Sequence, residues 1–330
     1  MRFSLRIRYA EPGHLARLVR AADEVGFDGV WVSEPWGYDA GPALGWCVAN
    51  TERMLIGTHV ASIFARTPAM TAGLAASLHT LSGGRFRLGL GVSGPAVVEG
   101  WHGVPFEKPV GRLRDVIRIV RLALSGEPLD YDGDVVRVPV PGRRPLRFAQ
   151  AAGPVDVPIY VGALGPVSQR LVADEADGWT PTPYSPDRHD VFATDLERAM
   201  EKAGRRVRIA PVVPVAVSAD LATAFDVERR WSAFYLGGMG EFYARAATAM
   251  GFGAMVDEVV AAWSVKDRAG ARAALRPDYF DSIGLFGSVD RIRKRIERYA
   301  GAGADELVFE LRKPDIDGQL DDLYALGGVL

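Results

Sequence analysis

The sequence predicts an α/β protein whose parallel strands close into a (β/α)8 barrel. Three observations lead there. Short β-rich runs alternate with amphipathic helical stretches, the alternation recurs eight times in 330 residues, and an apolar fraction of 48% supplies a core of the required size. A doubly wound open sheet has the same periodicity and stands as the alternative. No composition shift or linker divides the chain, so residues 1–330 are read as a single domain.

The strands are read, in order, at Arg2–Arg8, Phe27–Ser33, Met54–Val60, Arg85–Gly91, Pro158–Gly162, Gly178–Thr180, Val207–Val217 and Asp305–Glu310. After the first comes "GHLARLVRAADEVG", which sets Leu15, Leu18, Val19, Ala22 and Val25 on one helical face and closes at Gly26. "TPAMTAGLAASLHTLSGG" carries Pro68 in its first turn and Gly83-Gly84 at its end. "SVDRIRKRIERYAGAGADELVFE" repeats the design, with Ser288 as N-cap, a glycine-rich exit and then the last strand. Two insertions interrupt the alternation. Val92–Val157, after the fourth strand, holds a helix and a hairpin turning at Asp132-Gly133. Ser218–Ser288, after the seventh, is helical and contains "YLGGMG".

A net charge of −2 gives no electrostatic case for nucleic acid or an anionic membrane. The single cysteine, Cys47, rules out an internal disulfide and reads as a small buried hydrophobe. The N-terminus has no apolar signal region, and no apolar run reaches the roughly 18 residues that span a bilayer. A cytoplasmic protein is expected.

Barrel geometry puts chemistry at the C-terminal ends of strands. Two glycine-rich turns there, "GVSGPAVVEG" and "VGALGP", join strand to helix and can aim free amides at an anion. Such turns are also common for steric reasons alone. Neither is a Walker loop, and "GLGVSG" lacks the acidic residue that completes a dinucleotide fingerprint. Glu34 ends the apolar strand "FDGVWVSEP", as a general acid, an orienting group or a salt-bridged rim residue. Its apolar neighbours Val30, Trp31 and Val32 predict a desolvated carboxyl with raised proton affinity. Glu99 reads as an ion-pair partner of Arg112 or Arg114. His59 emerges with the third strand, and no spacing of His, Asp and Glu supports a metal. Trp36, Tyr38, Trp101 and Phe106 are candidates to floor a planar ligand, or core.

At these residues a family resemblance appears. "WVSEPWGYDAGPALGWCVANTERMLIGT", "ARTPAMTAGLAASLHTLSGGRFRLGLGVSGPAVVEGWHGVPF", "VPIYVGALGP", "ADGWTPTPYSP" and "YLGGMG" together resemble the luciferase-like superfamily. Within it the chain is similar to the actinobacterial branch that uses the deazaflavin coenzyme F420, relatives of methylenetetrahydromethanopterin reductase. The resemblance implies a barrel with the cofactor across its C-terminal mouth, in a homodimer. It implies a non-prolyl cis peptide at His59-Val60 and an acidic group, Glu34, beside the deazaflavin ring. Ser93, Gly94, Val97 and Val98 match one phosphate-holding loop, and Gly162, Ala163, Leu164 and Gly165 match the second. Ser62 and Ala96 stand where many relatives carry Gln, and His79 where they carry Asp; the two smaller residues widen the expected pocket.

The activity implied is hydride transfer between the deazaflavin and a small-molecule or modified-peptide substrate, reducing an activated C=C or C=N bond. Glu34 is the first candidate to deliver a proton or orient the ring edge, with His59 and Arg8 as secondary catalytic candidates. Two alternatives stand beside it. One is an FMN-dependent monooxygenase on the same barrel; the other is a non-catalytic partner subunit, against which the retained glycine loops argue.

Overall fold

A computed structural model describes residues 1–8, 11–149 and 153–329. Its strands are β1 (Arg2–Arg8), β2 (Gly29–Ser33), β3 (Leu55–Thr58), β4 (Ala61–Ser62), β5 (Phe86–Gly91), β6 (Tyr131–Asp132), β7 (Arg137–Val138), β8 (Ile159–Gly162), β9 (Gly178–Trp179), β10 (Arg208–Ile209), β11 (Val212–Val217), β12 (Leu285–Gly287) and β13 (Glu306–Leu311). One large sheet runs β10-β9-β8-β5-β3-β2-β1-β13-β11-β12, with β4 beside β5. Its pairings are parallel, for example Ser4 with Gly29 and Leu5 with Phe309. Residues 208–217 join the two flanks of that path. Ile209 lies against Trp179 on one flank, while Val212 lies against Val308 on the other. The Ala210 N–H donates to the Trp179 carbonyl at 2.8 Å and the Val308 N–H to Pro211 at 3.0 Å, so the sheet curls round on itself.

The curl separates two cores. Alternate residues such as Leu5, Ile7, Val30, Val32, Leu88 and Leu90 face outward into the helical layer. The other set faces in, and Trp31, Tyr160, Ala210, Val212 and Val308 form their own cluster there. Trp31 fits because its neighbour on β3 is Gly57, where a Cβ would lie 2.5 Å from the indole. Beneath it, Arg87 and Glu306 pair at 2.6 Å, both almost fully buried.

Ser288 caps its helix as the sequence predicts, and Thr67, which the sequence reading did not single out, caps another. Thr67 accepts from the Met70 N–H at the start of helix Pro68–Leu81, and Ser288 accepts from Arg291 at the start of helix Val289–Gly301. Gly26, Gly83 and Gly84 all have positive φ, the conformation a helix exit needs. Cys47 is fully buried in helix Ala40–Asn50, and burial pushes its thiol up to about 12.

Four details differ from expectation. The third strand stops at Thr58, and the short β4 resumes beyond a bulge at His59-Val60. The seventh is broken at Ala210-Pro211, since Pro211 has no N–H for a ladder. β12, three residues between Gly284 and Ser288, is too short to register as a periodic signal. The stretch 92–157 holds two helices, Pro95–Gly100 and Pro109–Leu124, besides its hairpin. Among the described residues no helix is long and apolar enough to cross a membrane.

Candidate active site

The strand ends of β1, β2, β3, β5 and β8 are consecutive in the sheet, so residues scattered over 160 positions of sequence line one arc. Register fixes their neighbours: Arg8 lies opposite Ser33, Ser62 opposite Gly91, and Gly91 opposite Gly162. Arg8, Glu34, the His59-Val60 bulge and the two glycine turns therefore follow one another along that rim.

The His59-Val60 bond is cis. The two side chains meet different surroundings. His59 points into the interior, 3% exposed, with Nε2 2.6 Å from Thr180 Oγ1 and its ring edge-on to Trp31. Burial, reinforced by the nearby Arg6 charge, holds its pKa at about 3, so the ring is neutral at physiological pH and has no imidazolium proton to deliver. Val60 lies instead against the glycines of β5 and β8: a Cβ on Gly91 would sit 2.5 Å from Val60 Cγ2, and one on Gly162 3.6 Å from Cγ1. Gly91 makes room for the bulge, whereas a Cβ on Gly162 would make only an ordinary contact. Gly91 is thus explained by the side chain it faces rather than by an anion.

His59 also makes a stability prediction. A base whose folded pKa is depressed contributes stability that is present above its unfolded value and lost as pH falls through the window. Between its ordinary 6.5 and about 3 the unfolded chain binds the proton and the folded chain does not. Unfolding free energy is expected to fall by about 1.4 kcal/mol per pH unit across that window from this residue. His59→Gln should flatten the urea-monitored pH profile; an unchanged slope would overturn the assignment.

In the first turn Ser93 has φ 59°, the left-handed region that non-glycine residues rarely occupy, and it is exposed. Gly94 has an ordinary extended backbone and caps helix Pro95–Gly100. A Cβ there would meet nothing closer than the Met239 carbonyl at 4.0 Å. Val97 and Val98 behave differently from expectation. Both donate their N–H groups to the Gly94 carbonyl, at 3.1 and 3.0 Å, and Val98 is fully buried. Donors for an anion must come from the turn before them. In the second turn Gly165 caps helix Pro166–Glu175, the Ala163 carbonyl accepts from Trp179 Nε1 at 2.7 Å, and Leu164 is half-buried.

Glu34 has a partner that local sequence does not reveal. Arg66 holds it with two nitrogens at 2.5 Å, and the Ala40 N–H donates to it at 3.1 Å. Arg66 also reaches Asp39 at 2.6 Å. The bonds to Glu34 outweigh burial and raise the Arg66 guanidinium further above its ordinary range. Both Glu34 oxygens are engaged with a fixed cation, an arrangement that orients rather than donates a proton. Arg8 likewise belongs to an ion cluster: burial pulls its pKa down, but Glu310, 2.5 Å from its Nε, raises it above the ordinary value. It is a fixed cation, not a proton source.

Among the remaining candidates, Glu99 accepts from the Phe106 N–H at 3.2 Å, and no ion pair to Arg112 or Arg114 is found among the described residues. Arg112 stacks instead on Phe64, 4.9 Å from its ring centre. Trp36, Tyr38 and Trp101 are exposed, whereas Phe106 packs on Phe64. Ser62 is buried and accepts from the Phe64 N–H, while Ala96 is exposed on the first turn.

Residues 2–306 match the model of the family described as luciferase-like monooxygenase. A Mycobacterium tuberculosis protein described as a coenzyme F420-dependent oxidoreductase is 35% identical, over 99% of both chains. The 5,10-methylenetetrahydromethanopterin reductase of Methanolobus tindarius is 31% identical over 68% of each. The solved F420-dependent tetrahydromethanopterin reductase of Methanopyrus kandleri superposes with a TM-score of 0.84 at 21% identity, covering 100% of this chain and 98% of that one. With the bulge, the curled parallel sheet and the paired glycine turns in place, the chain belongs to the luciferase-like family.

Proposed function

We infer that the protein is a coenzyme F420-dependent oxidoreductase, and we read its curled sheet as the closed (β/α)8 barrel with insertions after the fourth and seventh strands. One arrangement carries the reading: the Val60 bulge is flanked on adjacent strand ends by an open glycine turn and a helix start. The open side of Gly94 is the space a cofactor's tail requires, and nothing in the protein's own packing demands a glycine there. The Ser93–Ala96 and Ala163–Gly165 turns would hold the phosphate and its linker, and Val60 would back the ring. When bound, the deazaflavin supplies or accepts the hydride. Glu34 fixes Arg66 beside it. A small-molecule or modified-peptide substrate with an activated C=C or C=N bond, a homodimeric state and a cytoplasmic location complete the proposal.

Titrating the protein with F420 and with FMN, followed by absorbance, tests the cofactor. Saturable F420 binding with FMN at least tenfold weaker is expected; the reverse order would assign the FMN-dependent alternative. Glu34 and Arg66 are tested as a pair, by single-turnover oxidation of the reduced cofactor with an accepted substrate. Glu34→Gln and Arg66→Met are each expected to slow the step about tenfold, and the double variant no further, because residues acting as one unit are non-additive. Additive losses would instead give Glu34 a role of its own.

A further inference from the structure

We propose that the ion cluster at the end of β1 and β13 binds a carboxylate of the substrate, with Arg8 as the group that meets it. This rests on reading the mouth as the active site and adds a substrate class to it. Glu310 lies at the centre, 3.1 Å from Arg6 Nη1, 2.5 Å from Arg8 Nε and 3.0 Å from Arg312 Nη1. Arg312 Nε also pairs with Glu228 at 2.5 Å, and Glu228 comes from the helix Leu221–Gly238 that crosses over this end. Three guanidiniums thus share two carboxylates. His59 beside them is neutral and adds no charge. A surplus cation in a poorly solvated cluster is unfavourable until an anion reaches it. Burial pushes the Glu228 carboxyl upward against the pull of Arg312, and any proton it takes enlarges the surplus.

The cluster is graded from inside to outside. Glu228, Glu310 and Arg312 side chains are 3, 4 and 7% exposed, Arg6 is 13% and Arg8 is 29% exposed. The guanidinium of Arg8 sits over Trp231, its carbon 3.8 Å from the ring centre. Its Nε is taken by Glu310 and its Nη2 only loosely by the Tyr235 hydroxyl at 3.4 Å; no acceptor for Nη1 is found among the described residues. That leaves a planar pair of donors held in place for a bidentate anion. Two of the contacts of Arg8, Glu310 and Tyr235, also line a cavity of about 40 Å3 together with Arg6, Glu228, Tyr243 and Arg312; Arg8 itself is not part of that lining. This space takes one small head group rather than a whole substrate. A surplus of one charge fits a carboxylate better than a phosphate dianion.

The probes are acetate and acetamide, alike in size and different in charge, titrated by NMR against the protein with and without F420. Acetate is expected to bind saturably in the millimolar range and acetamide not at all. Arg8→Gln should weaken acetate at least tenfold, Arg8→Lys less, and Tyr235→Phe about threefold through loss of the hydroxyl. No saturable acetate binding, equal binding of acetamide, or unchanged affinity in a folded Arg8→Gln protein would each overturn the proposal. If Arg8→Gln fails to fold, unchanged acetate affinity in Tyr235→Phe overturns it. Inorganic phosphate binding more tightly than acetate would replace the carboxylate assignment. A parallel F420 fluorescence titration separates the two readings, because loss of F420 binding strikes the cofactor and leaves the acetate result to stand or fall alone.

Discussion

Arg87→Met is expected to cost about 3–5 kcal/mol of stability, the usual result of stripping one partner from a buried ion pair. Arg87 and Glu306 are each 3% exposed at 2.6 Å, and the guanidinium lies 4.1 Å from the Trp31 ring centre. Burial pushes the Glu306 carboxyl up, but Arg87 more than offsets it and holds it below its ordinary 4.5. Without Arg87 that balance reverses. A carboxyl whose folded pKa is raised regains stability as pH falls toward its unfolded value, so the deficit should narrow near pH 4. Removing both charges, as Arg87→Met with Glu306→Leu, should recover much of the loss. It will not recover all, since Trp31 Nε1 donates to Glu306 at 2.9 Å and would be left unpaired at about 1–3 kcal/mol. Urea midpoints for the three variants check the series. A single variant within about 1 kcal/mol of wild type would show that the pair contributes little to holding the inner layer.

That pair shows what the sequence could and could not display. The alternation in "RFSLRIR" marks β1 as a strand, and the pattern of "ELVFEL" does the same for β13. Neither says that Arg6 and Arg8 will meet Glu310, because the contact depends on two strands about 300 residues apart becoming neighbours. Once β1 and β13 are adjacent, every second residue of each faces the interior, and the charges fall on that face. Arg66 is a similar case: 32 positions from Glu34, it is brought to it by the loop after β4. Local signals served better where the physics is local. Thr67, Asp220, Ser288 and Asp315 all cap the helices that follow them. The site residues carried by the family resemblance fall on one arc, yet their roles divide. Val97 and Val98 spend their amides inside a helix turn, Gly162 would bring a Cβ only into ordinary contact with Val60, and Gly94 is left open; Gly91, outside that set, is the glycine the bulge requires.

Gly94→Val is therefore expected to leave the fold intact and to weaken F420 binding about ten- to a hundredfold, or 1.4–2.7 kcal/mol. The backbone at Gly94 is extended, φ −131°, a conformation valine prefers, and its Cβ would meet only the Met239 carbonyl, at 4.0 Å. The glycine is not kept for conformation or for packing. What remains is the space itself, and a branched side chain would occupy it. Gly91→Val is the control with the opposite signature. Its Cβ would lie 2.5 Å from Val60 Cγ2, inside β5, so the cost appears in the unliganded protein as about 1–3 kcal/mol of overpacking. Thermal unfolding of both variants without cofactor, followed by fluorescence titration with F420, separates the cases. Gly94→Val should melt with wild type and bind poorly; Gly91→Val should melt early whatever it binds. If Gly94→Val keeps wild-type affinity, the turn after β5 holds no part of the cofactor, and the tail must be anchored from the Ala163–Gly165 turn alone.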